Sequence, residues 1–147
     1  MIRISKLTDY GVLIMSHMTQ TPAAVMSASD LAASLHLPLP TVSKVLKSLS
    51  QAGLLSSRRG IAGGYLLNKA PEQISLMEII TALDGPISLT ECSGSMSDCA
   101  IEAECGLRNH WIGINRLVYD LFAQIDLVKF NQDHLMKSSE VFKGVKQ

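Results

Sequence analysis

Several features are missing from this chain, and each absence excludes something. No run approaches the roughly 20 consecutive apolar residues that span a bilayer, so no transmembrane helix and no membrane partner are expected. The first residues, MIRISKLTDYG, lack the charge, long apolar run and small-residue cleavage site of a signal peptide. A cytoplasmic location follows as the expectation, and there thiols stay reduced. Enzyme motifs are missing as well. GIAGG lies between two strand-like runs with no Lys-Ser/Thr after it and no following helix, which excludes a phosphate-binding loop. His17, His36, His110 and His134 are scattered, without HExxH or nucleophile–base spacing, so a non-enzyme is expected. Acidic residues are scarce in the first half. Residues 1–70 hold seven Lys/Arg against only Asp9 and Asp30, whereas residues 71–147 hold six against eleven acids, under a formal net charge of zero. A basic half joined to an acidic half suggests that one end meets a polyanion. Cysteine, finally, is missing everywhere except one window of 14 residues that contains Cys92, Cys99 and Cys105.

What is present builds a small core. A hydrophobic fraction of 47% over 147 residues suits one compact domain plus an extension. Leu7, Gly11, Ile14 and Met18 recur at helical steps, giving a helix from Ser5 to Met18. Ser29, with Asp30 in the first turn, is the expected N-cap of a short second helix through Leu35. The stretch LHLPLP breaks it, because proline and the residue before it resist the helical conformation. A third helix starts at Pro40 or Thr41, with Val42, Val45, Leu46 and Leu49 on its apolar face, and Gly53 ends it. LLSSRR, GIAGG and YLL form a hairpin with a Gly-rich turn. Ser75 and Glu78 form a capping box for a helix that stops at Asp84-Gly85-Pro86. After Cys105 a long helix runs to about Ala123. Leu107, Trp111, Ile114, Val118, Leu121 and Ile125 make a heptad-like seam along it, suited to pairing with a second copy of the chain. The last residues are polar and expected to fray.

Helix, short helix, turn, helix and Gly-tipped hairpin is the order of a winged helix-turn-helix. The expected fold is therefore mainly α, with a small β-hairpin wing and a long C-terminal dimerisation helix. A helix enters the major groove when its outward face is small or polar and free of charge like that of phosphate. Thr41, Ser43, Lys44 and Lys47 meet that condition. The hairpin can lie along the backbone or minor groove, with Arg58 and Arg59 as charged contacts and its glycines allowing close approach. Three thiols in one polar loop point to a metal site. They cannot pair off as disulfides, and as ligands they leave a fourth coordination position to another group.

LTDYG, GLLSSRRGIAGGYLL, SLMEIITALDG and the three cysteines together resemble the IscR/NsrR-type family of winged-helix iron–sulfur transcription regulators. The resemblance covers about residues 1–130, and within the family it is strongest to regulators of SUF-type cluster assembly operons. It implies a homodimer on a near-palindromic double-stranded DNA operator, with occupancy of a 2Fe-2S or 4Fe-4S cluster tuning affinity or site choice, most simply as a repressor. It also implies DNA contacts at Pro40, Thr41, Ser43, Lys44, Arg59 and Gly60, beside Lys47 and Arg58 from the reading above. Domain boundaries follow: 1–84 winged helix-turn-helix, 85–106 cysteine loop, 107–130 dimerisation helix and docking segment, 131–147 tail.

The chain departs from the family pattern at two points. The spacing is C-x6-C-x5-C rather than five residues in both gaps. At the place of the histidine ligand found in some members stands Arg108, which stays protonated and cannot ligate. His110, Glu102 and Glu104 are candidates for the fourth ligand. Asp9 is favoured, because the nitric-oxide-sensing branch of the family supplies an acidic ligand from this N-terminal helix across the dimer. The alternatives are a zinc clamp on the same residues and a thiol-redox sensor without metal.

Overall fold

Helix α1 (Lys6–Met18) opens the fold, and the computed structural model describes residues 3–94 and 99–132. Then come α2 (Ala28–Leu35), α3 (Leu39–Gln51), β1 (Leu55–Arg58), β2 (Gly64–Leu67), α4 (Leu76–Asp84), α5 (Arg108–Ala123) and α6 (Leu127–Asn131), with short 3-10 turns at Pro71–Gln73, Glu91–Ser93 and Glu102–Glu104. The expected winged helix-turn-helix is present. The expected fraying of the tail concerns residues that, from 133 onward, lie outside the described ones.

Each α-helix begins where a side chain satisfies its first free amides, with two exceptions. Ser5 accepts from the Thr8 amide at 3.1 Å and starts α1. For α2 the cap is Ser27, two residues before the expected Ser29: its Oγ accepts from the Asp30 amide at 3.1 Å and donates to the Asp30 carboxylate at 2.7 Å. Ser27 stands three residues before the acid, the spacing that lets both groups meet, whereas Ser29 adjoins it. The Ser75–Glu78 capping box opens α4 as expected, and Gly85, at φ 87°, ends it. Helix α5 starts after Leu107 without a side-chain cap, and helix α3 is the other exception. It starts at Leu39, earlier than Pro40 or Thr41, and Pro38 at its N-cap offers no side-chain acceptor. Pro40 is tolerated in the first turn, where an amide would have no partner in any case.

Val42, Val45, Leu46 and Leu49 are fully buried, so α3 turns the expected face inward. They meet Ile14, Met15 and Met18 of α1, Leu31 of α2 and Ile79 of α4 in one core. Strands β1 and β2 pair antiparallel from Leu55–Leu67 to Arg58–Gly64. The segment before α2 joins them, because Met26 and Tyr65 exchange backbone hydrogen bonds of 2.9 and 2.8 Å. Gly64 permits this approach: a Cβ there would collide with the Met26 carbonyl.

After α5 the chain returns to the core. The Leu76 amide donates to the Ile125 carbonyl at 2.8 Å and the Leu127 amide to Ile74 at 3.0 Å, clipping the α5–α6 junction onto the start of α4. Leu127 is fully buried and Ile125 nearly so. The expected seam is corrected on this point. Ile125 lies beyond the helix and inside the core, and Leu121 packs against that core. The apolar residues left outside are Leu107, Trp111, Ile112, Ile114, Leu117 and Tyr119.

Candidate functional site

Two groups of residues stand out, one on α3 and the hairpin, the other on the loop between α4 and α5. On α3, burying the apolar face leaves Pro40, Ser43, Lys44 and Lys47 exposed, with Thr41 half-buried. Helices α1, α2 and α4 carry Asp9, Asp30 and Glu78 in their first turns, and α3 carries no acid there and no side-chain cap. The positive end of its dipole has no acidic neighbour in the first turn, a favourable place for an anion, although Pro40 carries no amide and the Thr41 amide donates to the Pro38 carbonyl at 3.0 Å. Arg58, Arg59 and Gly60 are exposed at the end of the hairpin. Lys69, Arg116 and Lys129 pair with Glu78, Asp120 and Asp126. Lys44, Lys47, Arg58 and Arg59, in contrast, make no ion pair with a described carboxylate. Four unneutralised cations on and just after α3 fit a phosphate-bearing partner.

The second group begins at the end of α4. Asn115, on α5, bridges the root of the loop. Its Oδ1 accepts from the Leu89 amide at 3.1 Å and its Nδ2 donates to the Ile87 carbonyl at 3.1 Å. Sequence reasoning missed this clamp, and the available signal was a lone amide inside an apolar helical stretch. Beyond it, the Thr90 amide donates to Ser93 Oγ at 3.0 Å, and Thr90 Oγ1 lies 3.3 Å from Cys92 Sγ. Cys92, Cys99 and Cys105 are all half-buried. Cys99 lines an open cavity of about 430 Å³ with Ala100, Ala103 and Arg108. The position that lacks a histidine thus places a guanidinium in the same cavity as a thiol.

The donor set, three soft sulfurs on one loop, fits a soft metal centre. The thiols are not gathered in the single chain: among the described residues, no three His, Cys, Asp or Glu side chains stand together closely enough to hold a metal ion. Asp9 is exposed on the outward face of α1, and His110 and Glu104 are exposed too. Of Glu102, only the backbone turn is described.

Comparison with known proteins concerns the chain as a whole. The model of the Rrf2 family, described as iron-dependent transcriptional regulator, matches residues 4–133. The chain is 28% identical over 141 residues to the HTH-type transcriptional regulator NsrR of Bacillus licheniformis, covering 92% of this chain and 98% of that one. It is 29% identical over 127 residues to the regulator IscR of Erwinia tasmaniensis, covering 85% and 73% of the two chains. Among solved structures, CymR, the global cysteine regulator of B. subtilis, aligns with a TM-score of 0.69 at 28% identity, over 88% of this chain and 96% of that one.

Proposed function

The chain belongs to the Rrf2 family and is a DNA-binding transcriptional regulator, not an enzyme, and from that premise we propose that it is a homodimeric repressor that senses iron–sulfur cluster status, or redox and nitric oxide stress, and controls cluster assembly or stress genes. The observation that carries this reading is the position of the thiols. All the cysteines of the chain lie on the one loop that joins the winged helix-turn-helix to α5, so a centre bound there would sit where the chain passes from one to the other.

Cys92, Cys99 and Cys105 would hold the cluster, with Asp9 of the partner subunit as fourth ligand. When bound, the cluster supplies a redox- and iron-sensitive centre whose oxygen corner exchanges more readily than its thiolate corners. The chain's own residues do the rest. Asn115 holds the loop root against α5, Thr90 orients Cys92, and Arg108 offsets the negative charge that thiolates bring to the cavity. Exposure of Leu107, Trp111, Ile114 and Leu117 along one helix supports the homodimer, because a contiguous apolar patch marks an interaction site. Pairing fixes the distance between two α3 helices, and reading a two-fold operator depends on that distance. Pro40, Thr41, Ser43, Lys44 and Lys47 would meet the major groove, and Arg58, Arg59 and Gly60 the backbone or minor groove.

Anaerobic purification followed by absorption spectroscopy with iron and sulfide counting tests the assignment. A coloured protein that loses its cluster in Cys92→Ala, Cys99→Ala and Cys105→Ala, and holds it more weakly in Asp9→Ala, is the expected result. Unchanged cluster content in Asp9→Ala removes Asp9 from the site. A colourless protein containing zinc replaces the cluster with a structural clamp.

A further inference from the structure

Among the described residues, the most exposed large apolar one sits among the cations of the wing. Ile61 has a relative exposure of 111%, more than in an extended reference peptide. Its position is built rather than accidental. The Gly63 amide donates to the Gly60 carbonyl at 2.9 Å, closing a turn with Ile61 and Ala62 at its apex. Gly60 has φ 110°, a conformation that L side chains rarely adopt. A Cβ on Gly63 would stand 2.5 Å from the Arg58 carbonyl oxygen and 2.7 Å from that of Gly60. Glycines on both sides therefore hold a turn that pushes one branched apolar side chain into solvent.

We propose that Ile61 is an apolar minor-groove contact, pressed against sugar edges or between base steps, while Arg58 and Arg59 engage the flanking phosphates. The occupant follows from the charge around it. The two residues immediately before Gly60 are arginines that make no ion pair with a described carboxylate, and such cations favour a polyanion over an apolar protein surface. Proteins of the minor groove combine such cations with apolar wedges that unstack a base step and bend the duplex. The wedge adds affinity through removal of apolar surface from water, a contribution that salt does not screen. The arginines add it through counterion release, which salt weakens steeply. The two contributions are therefore separable.

This inference rests on the DNA-binding reading, and the experiment separates the two. A duplex enriched from a random-sequence pool on the wild-type protein is titrated at several salt concentrations, with its end-to-end distance followed by resonance energy transfer. Ile61→Ala is expected to bind roughly tenfold more weakly, with an unchanged salt slope and a smaller bend. Ile61→Leu is expected to restore binding to within about twofold, and Arg59→Ala to lower the slope by about one per bound chain. Since Ile61 touches no core, melting temperatures of the Ile61 variants should match that of the wild type. Equal affinity of Ile61→Ala and wild type, or an Ile61→Ala slope reduced like that of Arg59→Ala, overturns the wedge while leaving DNA binding in place. Failure of the wild type to enrich any duplex overturns both.

Discussion

Asp84 shows how single residues hold this fold. It lies 79 positions from Ser5, yet its carboxylate accepts from the Ser5 hydroxyl at 2.6 Å and the Ser5 amide at 3.2 Å, tying the start of α1 to the end of α4. Burial pushes the carboxyl up, but the Ser5 hydroxyl and amide outweigh it and hold it below its ordinary 3.8. A carboxylate depressed in the folded state contributes stability above its unfolded value, and that stability is lost as pH falls through the folded value. Asp84→Asn should therefore lower the melting temperature at pH 7 by a few degrees, and the gap from wild type should close as pH falls below 3.8. A gap that persists undiminished in acid would mean that the ionised form is not what matters. No local pattern announces this tie, because its partners are far apart in sequence. The Ser75–Glu78 box, three residues apart, was legible from the sequence. So were the inward positions of α3, since helical periodicity alone selects them.

At the scale of elements, α5 differs from every other helix of the core. None of its residues is buried, while Trp111, Ile112, Ile114, Leu117 and Tyr119 are each 39–51% exposed. The expected helix end at about Ala123 is where α5 stops, but the heptad steps carried the apolar seam on to Ile125. Periodicity cannot tell that Ile125 leaves the helix to enter the core, because that depends on backbone hydrogen bonds to Ile74 and Leu76. Ile114→Asp places a charge on the proposed pairing face without touching the core. Light scattering should then report a monomer with unchanged helical content. Operator affinity should fall by more than about tenfold, because the two half-sites no longer bind as one. A variant with the mass of the wild-type dimer would move the interface off this face. The hairpin was legible as strands around a glycine turn, whereas its pairing with Met26 was not. That bridge comes from a segment with no strand pattern of its own, and Gly64 makes room for it.

At the scale of the whole molecule, the basic and acidic halves of the sequence become two ends of one device. The half with seven cations and two acids carries α3 and the wing. The acidic half begins after the wing and contains the cysteine loop and α5. The loop is held by Asn115 to α5, and α5 is clipped back through Ile125 to the start of α4. A change in the loop thus has a continuous packed route through α5 and α4 to α3 and the wing. No helix of the described residues is long and apolar enough to cross a membrane, in line with the short apolar runs of the sequence. The three thiols stand out in the sequence as candidate ligands, but the fold of the single chain does not gather them among the described residues. The central claim is that such a centre sets DNA affinity. It is tested most directly by titrating one duplex, at fixed salt, with anaerobically isolated protein before and after its cluster is removed, while the visible absorption is followed in the same sample. The account predicts that affinity changes by about 5- to 150-fold as the colour is lost, whereas identical affinity of the two forms would contradict it.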